Sequence, residues 1–159
     1  MPNSLKEIQN TESSSLSLDN QICFSAYALS NTIQRAYQPM LKSLGLTYPQ
    51  YLVMICLWES PTLSMQALGQ KLLLDSGTLT PMCKKLEDMK LIARAKKSGD
   101  ARCLEIHLSV KGKKLKLKAE KVPKEMFCLL RTSIEKLSIL KKELDSLRIA
   151  LSGCCRKRS

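Results

Sequence analysis

Two short helical stripes separated by a single turn constrain this chain more than any other feature. Ser64 stands before Leu68 and Leu72, and Leu79, Met82, Leu86 and Met89 follow at steps of three and four. Apolar residues at that spacing line one face of an α-helix. Only a run centred on Leu74-Asp75-Ser76-Gly77 lies between the stripes, and its turn-forming residues predict a tight reversal. A short helix capped by Ser64, a tight turn and a second helix make a helix-turn-helix. Pro81 costs a hydrogen bond if the second helix begins at Ser76, so a start near Thr78 or a bend is expected.

The segments on either side extend this unit. Residues 91–97 and 102–108 read as strands, with Ile92, Leu104, Ile106 and Leu108 apolar and Ser98-Gly99-Asp100-Ala101 as the turn, which gives a β-wing. Upstream, Ile22, Ala26, Leu29, Ile33, Ala36, Met40 and Leu44 form one long stripe, with Asp19 as its expected cap and Gly45 as its stop. Pro49 suits the first turn of another helix, through Tyr51, Leu52, Ile55 and Trp58, which Pro61 ends. Ser109 caps a fifth helix, Pro123 interrupts it, and Leu137, Leu140, Leu144, Leu147 and Leu151 give the last helix a heptad-like seam. The expected fold is mainly α with a small β-wing: a winged helix-turn-helix whose terminal helices have little local core to cover and pair across a two-fold axis in a homodimer. The expected division is a flexible arm over 1–17, a dimerisation helix over 18–44, the DNA-binding region over 45–110, C-terminal dimerisation helices over 111–152 and a basic tail over 153–159.

Charge narrows the partners. Among 159 residues, 26 Lys and Arg face 14 Asp and Glu, a net charge of +12 that favours nucleic acid first and an anionic membrane surface second. Aromatic residues make up only 4%, too few for the stacking platforms of single-strand or RNA binders. No apolar run approaches the ~20 residues of a membrane helix. Met1-Pro2-Asn3-Ser4 opens no secretory signal, so a cytoplasmic protein is expected. The seven cysteines are odd in number and form no Cys-x-x-Cys pair, and His107 is the single histidine. Neither a disulfide framework nor a metal site is indicated, no cofactor is expected, and no thioredoxin-like strand pattern suggests an enzyme.

The expected partner is double-stranded DNA carrying a pseudo-palindromic operator. Asp75, Ser76, Thr78 and Thr80 lie at the amino end of the second helix of the motif, where hydroxyls and free N–H groups suit phosphates and base edges. Lys84 and Lys85 follow one turn later and suit the backbone. Arg94, Lys96, Lys97 and Arg102 make the wing basic, with Arg102 placed to enter the minor groove and Asp100 to orient it.

Cys23, Tyr27 and Tyr37 share a face of the first helix, the tyrosines falling about 40° to either side of the cysteine. Tyr37 nevertheless lies ~21 Å along the axis from Cys23 at 1.5 Å per residue. A second chain crossing at a dimer interface brings that phenol to the sulfur, and Tyr48 at the start of the second helix is a further candidate donor. No Lys, Arg or His stands within four residues of Cys23, so hydroxyls and the helix amino end are left to stabilise a thiolate there. The alternative at this point is a plain buried cysteine among core tyrosines. Cys56 and Cys83 sit beside apolar stripes, Cys103 is in the wing, and Cys154-Cys155 lie in the basic tail.

Three runs carry a resemblance: Asp19-Asn20-Gln21-Ile22-Cys23-Phe24, Gly45-Leu46-Thr47-Tyr48-Pro49-Gln50-Tyr51, and Leu74-Asp75-Ser76-Gly77-Thr78-Leu79-Thr80-Pro81. Over about residues 19–130 the chain resembles the MarR family of winged-helix repressors, and more narrowly its organic-hydroperoxide-sensing OhrR branch. The wing run Asp100-Ala101-Arg102 is shared with MarR proteins broadly. The resemblance implies that Cys23 is the peroxidatic sensor and that Tyr27, Tyr37 and Tyr48 hold its thiolate. It also implies a second, resolving cysteine shortly after a proline, the place of Cys128 after Pro123. A redox-sensing repressor of the two-cysteine type follows, released when an organic hydroperoxide oxidises Cys23 and an intersubunit disulfide to Cys128 forms. A repressor released by a small aromatic ligand without thiol chemistry is the other reading. The chain departs from the family at Ser109-Val110-Lys111-Gly112, where Leu-Thr-x-x-Gly is usual, and at Lys84-Lys85, where Lys-Arg is common. The second change removes a planar guanidinium and leaves open which base is read.

Overall fold

The computed structural model describes the backbone of residues 16–97 and 100–156, and the side chains of all these except 97, 100–103 and 153–156. After a 3-10 turn at Leu18–Asn20 come α1 (Ile22–Lys42), α2 (Tyr48–Glu59), β1 (Thr62–Ser64), α3 (Met65–Leu72), α4 (Ser76–Asp88), β2 (Ile92–Lys97), β3 (Asp100–Leu108), α5 (Val110–Ala119), α6 (Val122–Leu130) and α7 (Ile134–Arg156). The fold is mainly helical with one small antiparallel sheet, a winged helix-turn-helix. The chain divides into two compact units, one ending at Val122 and one beginning at Pro123.

In the first unit α2 is the centrepiece. The predicted stripe of Tyr51, Leu52, Ile55 and Trp58 is too narrow: Tyr51, Val53, Met54, Cys56 and Leu57 are buried, whereas Leu52, Ile55 and Trp58 are only partly covered. A helix apolar on nearly every side sits inside a core rather than on its surface. Leu41, Leu68, Leu79, Leu86 and Ile106 are fully buried with it, each contributing about 1.5–3 kcal/mol over exposure. Pro49 lies in the first turn of α2 as expected, and the Thr47 backbone N–H donates to Gln50 Oε1 at 2.9 Å. Upstream, the chain reverses at Gly45, whose φ of 69° suits a residue without Cβ.

The helix-turn-helix is closed by three local devices. Ser64 Oγ accepts from the Ala67 N–H at 3.0 Å and caps α3. Leu73 ends that helix in the left-handed region, and the Leu74 N–H returns to the Gly69 carbonyl at 3.0 Å. A Cβ on Gly69 would stand 2.9 Å from the Leu74 carbonyl oxygen, so this turn needs the glycine. α4 then begins at Ser76, not near Thr78, with Pro81 inside it. The cap explains the difference. Asp75 holds the Thr78 N–H and hydroxyl, both at 2.9 Å, and one bond missing at Pro81 does not displace a start fixed that firmly. The buried stripe of α4 is Leu79, Cys83 and Leu86; Met82 and Met89 sit at its half-covered margin.

The sheet has the order β1-β3-β2, both pairs antiparallel. β1 pairs Thr62 with His107 and Ser64 with Glu105, a strand the alternation of the sequence did not reveal. In the wing Ile92 faces Leu108 and Lys96 faces Leu104, with an irregularity between Lys96 and Lys97. Asp100 and Ala101, expected in the turn, belong to β3.

The start of α1 also departs from expectation. Asp19 lies in the 3-10 turn, and Gln21 occupies the N-cap position without a side-chain bond. Cys23 is therefore the second residue of the helix, within its first turn. At the other end α1 stops at Lys42, ahead of Gly45. Its upper half is not core: Ile22 and Leu29 are exposed, and burial begins at Met40 and Leu41.

In the second unit Pro123 stands in the first turn of α6, where a missing N–H costs nothing. The predicted interruption is thus a boundary between two helices. Along α7, Leu140, Leu144, Leu147 and Leu151 are 43–57% exposed, a seam that the protomer leaves uncovered.

Candidate thiol site and nucleic-acid interface

Four cysteines with described side chains divide into two pairs. Cys56 and Cys83 are buried, and Cys23 and Cys128 are exposed. Burial pushes the Cys56 thiol up, and it pushes Cys83 up to about 11, with Glu87 adding to the effect and Arg94 opposing it. A thiol held protonated in hydrocarbon is a poor nucleophile. Sequence reasoning set Cys83 beside the stripe of α4; the structure puts it inside, fully covered. Cys103 and Cys154-Cys155 fall among the side chains not described.

Cys23 and Tyr27, one helical turn apart on α1, are both exposed, Tyr27 by 65%. Tyr37 lies further along α1 and is half-buried. Its ring is 4.7 Å from that of Tyr48 and 6.0 Å from that of Tyr51, whose ring is in turn 6.0 Å from Trp58. Burial raises the pKa of Tyr37, Tyr48 and Tyr51, and the neighbouring phenols add to the rise for Tyr37 and Tyr51. These hydroxyls stay protonated at neutral pH and can donate. Tyr51 was not singled out in the sequence as part of this group. Its place in the run Tyr48-Pro49-Gln50-Tyr51, one turn from Tyr48 on the same helix, was the available signal. Tyr27 and Tyr48 also line one surface cleft of about 460 Å³, with Asn31, Gln34, Arg35 and Thr47. Within the protomer the structure joins Tyr37 to Tyr48 and leaves Cys23 without either. Cys128 lies in the second unit, on α6.

On the candidate nucleic-acid face, Asp75, Ser76, Thr78, Thr80, Lys84 and Lys85 are all exposed along α4 and its cap. The bonds from Thr78 draw the Asp75 carboxyl below its usual range and fix both side chains at the helix start. Arg94 is placed differently from a free wing cation. Its Nε donates to Glu87 Oε2 at 2.7 Å, its backbone N–H donates to Glu87 Oε1 at 2.9 Å, and both side chains are half-buried. Glu87, which the sequence reading passed over, is held below the ordinary carboxylate range by these bonds. The pair clamps the first wing strand to α4. Nothing local in the sequence links a helix carboxylate to a strand arginine seven residues on. The side chains of Asp100 and Arg102 lie outside the described residues.

Gly112 lets the start of α5 pack closely against the core. Trp58 Nε1 donates to the Gly112 carbonyl at 3.0 Å, and a Cβ on Gly112 would run into the Leu91 carbonyl oxygen and Leu108. Ser109 Oγ accepts from the Gly112 N–H at 2.9 Å, so the expected cap of α5 is formed.

Among the described residues no cluster of His, Cys, Asp and Glu is arranged to hold a metal ion, and no helix is long and apolar enough to cross a membrane. The chain is 43% identical over 132 residues to the organic hydroperoxide resistance transcriptional regulator of Bacillus subtilis, covering 83% of this chain and 90% of the relative. The structure of reduced AbfR bound to DNA aligns with a TM-score of 0.75 at 34% identity, covering 86% of this chain and 93% of that one. The disulfide form of AbfR aligns with a TM-score of 0.60 at 33% identity, covering 92% and 98%. Residues 46–104, which span α2, the helix-turn-helix and most of the wing, match the MarR family pattern. With that match and a regulator 43% identical over nine-tenths of its length, this chain belongs to the MarR family.

Proposed function

We propose that this protein is a redox-sensing transcriptional repressor. As a homodimer it binds pseudo-palindromic double-stranded operator DNA, and it leaves that DNA when an organic hydroperoxide oxidises Cys23. The observation that carries this reading is the partition of the thiols: Cys56 and Cys83 are sealed away, while Cys23 is exposed in the first turn of a helix. That end of a helix favours an anion. The uncovered residues Ile22 and Leu29 on α1 and the exposed leucines of α7 suit a second copy of the chain. Across such a dimer the phenols of Tyr27, Tyr37 and Tyr48 reach the Cys23 of the opposite chain.

The chemistry follows from the thiol. The Cys23 thiolate attacks the terminal peroxide oxygen, the O–O bond breaks, and an alcohol leaves after taking up a proton. Cys23 becomes a sulfenic acid. The thiol of Cys128 of the partner subunit then displaces water and forms a disulfide. The two Cα atoms must come within ~7 Å for that bond. Movement of the helices to meet this limit separates the two copies of α4 from half-sites spaced about 34 Å apart. One equivalent of hydroperoxide is consumed for each Cys23–Cys128 disulfide formed, and the oxidation serves to release DNA, the role of a regulator rather than of an enzyme. Its DNA target places it in the cytoplasm, where thiols are kept reduced.

A non-reducing gel after treatment with cumene hydroperoxide tests the assignment. The wild type should run as a crosslinked dimer and Cys128→Ser should not. A crosslink that persists in Cys128→Ser shows that the resolving partner is a different residue. The cleft lined by Tyr27, Arg35 and Tyr48 supports a second reading, release by a small aromatic ligand. Under that reading Cys23→Ser would respond to the ligand as the wild type does and peroxide would be irrelevant.

A further inference from the structure

The helix that reads DNA in the proposed function carries no net charge. Within α4, Lys84 and Lys85 stand against Glu87 and Asp88, and Arg94 beside it is already paired with Glu87. α5 is the opposite case: Val110–Ala119 holds Lys111, Lys113, Lys114, Lys116 and Lys118 and no acidic residue. Affinity for duplex DNA grows with the number of phosphates neutralised. The densest run of positive charge on a described helix therefore lies outside the helix-turn-helix and the wing.

α5 is fastened to the far end of α4. Ser109 Oγ donates to the Lys90 carbonyl at 2.8 Å, the Ser109 N–H to the Leu91 carbonyl at 3.1 Å, and Lys111 Nζ to the Met89 carbonyl at 2.8 Å. Lys111, Lys114 and Lys118 rim one small pocket of about 210 Å³, floored by Leu44, Met89, Leu91 and Leu115. These three lysines share that pocket with Met89, the residue that follows α4. The 13 residues of α4 extend about 20 Å, whereas the major groove is about 12 Å wide. A helix of that length crossing the groove with its Asp75 to Thr80 end inside would carry its Met89 end past a flanking strand.

We propose that Lys114 and Lys118, on the helix whose first turn Lys111 anchors, bind backbone phosphates of the duplex outside the half-site read by α4. The inference rests on the DNA-binding reading above and adds a contact surface to it. Phosphate contacts carry no base information, so this surface lengthens the footprint and strengthens binding to any sequence.

The test is fluorescence anisotropy of the full-length protein on a mixed-sequence duplex of about 40 base pairs across a KCl series, comparing wild type with Lys114→Gln/Lys118→Gln. The slope of log affinity against log salt should fall by about 1.8 per protomer in the double variant, with the melting temperature unchanged. A wild-type slope retained by the variant overturns the proposal. So does a variant that keeps the DNA slope but loses binding to phosphatidylglycerol vesicles, which would assign the lysines to a membrane surface. A wild type that binds no duplex at all removes the underlying reading as well, and is distinguished from the other two results by that alone.

Discussion

Replacing Glu87 tests whether the wing is set by α4 or merely lies near it. Glu87 accepts from the Arg94 Nε at 2.7 Å and from its backbone N–H at 2.9 Å, with both side chains half-buried. In Glu87→Ala both acceptors vanish and a half-buried guanidinium is left without its partner. Exposed ion pairs are worth about 1 kcal/mol or less, and charge-assisted hydrogen bonds about 1.5–3 kcal/mol, so a loss of about 2 kcal/mol is expected for this geometry. For a chain of this size that is roughly a 4–8 °C fall in melting temperature. Glu87→Gln keeps one oxygen and should lose about half as much. Thermal unfolding gives the first measurement, and anisotropy on mixed-sequence duplex gives the second. Removing a carboxylate beside DNA raises the local positive charge, so if Arg94 were an idle cation, affinity would rise with no change in stability. A melting temperature within about 1 °C of wild type for Glu87→Ala, together with tighter DNA binding, would refute the clamp.

Three further outcomes are expected. Gly112→Ala should lower the melting temperature by several degrees, because the new methyl group runs into the Leu91 carbonyl and Leu108 and overpacking costs about 1–3 kcal/mol; a melt unchanged from wild type counts against that packing. The folded-state pKa values of Asp75 and Glu87 are depressed, so their stabilisation is complete above the ordinary carboxylate values of 3.8 and 4.5 and is lost as pH falls below them. Wild type should lose stability over that acid range more steeply than Glu87→Gln, as circular dichroism melts at successive pH values would show. Iodoacetamide at neutral pH should modify Cys23 and Cys128 and spare Cys56 and Cys83 until the chain unfolds, read by peptide mass mapping.

Local signals made most of the fold legible. Ser64 and Ser109 announced their helices because a hydroxyl cap acts within three residues, and Pro49 and Gly45 marked a start and a reversal for similarly local reasons. Features set by distant partners were not readable in this way. β1 is only three residues long and exists through its pairing with β3. α2 has no apolar stripe to find because it is covered on nearly every side. Pro81 alone points to a late start for α4, but the two bonds that Asp75 makes to Thr78 outweigh it and fix the start at Ser76. At the candidate sites, Cys23, Tyr27 and the exposed hydroxyls of α4 could be named from spacing and resemblance. The Arg94–Glu87 pair joins a strand to a helix and has no such period.

Retention of promoter DNA from an organic-hydroperoxide-inducible gene selected by this protein, with and without cumene hydroperoxide, is the most direct measurement of whether Cys23 governs release. Oxidant should free the DNA from the wild type and leave it held by Cys23→Ser, with a reducing thiol restoring the wild-type complex. Release of both proteins alike, or of neither, contradicts the thiol as the trigger.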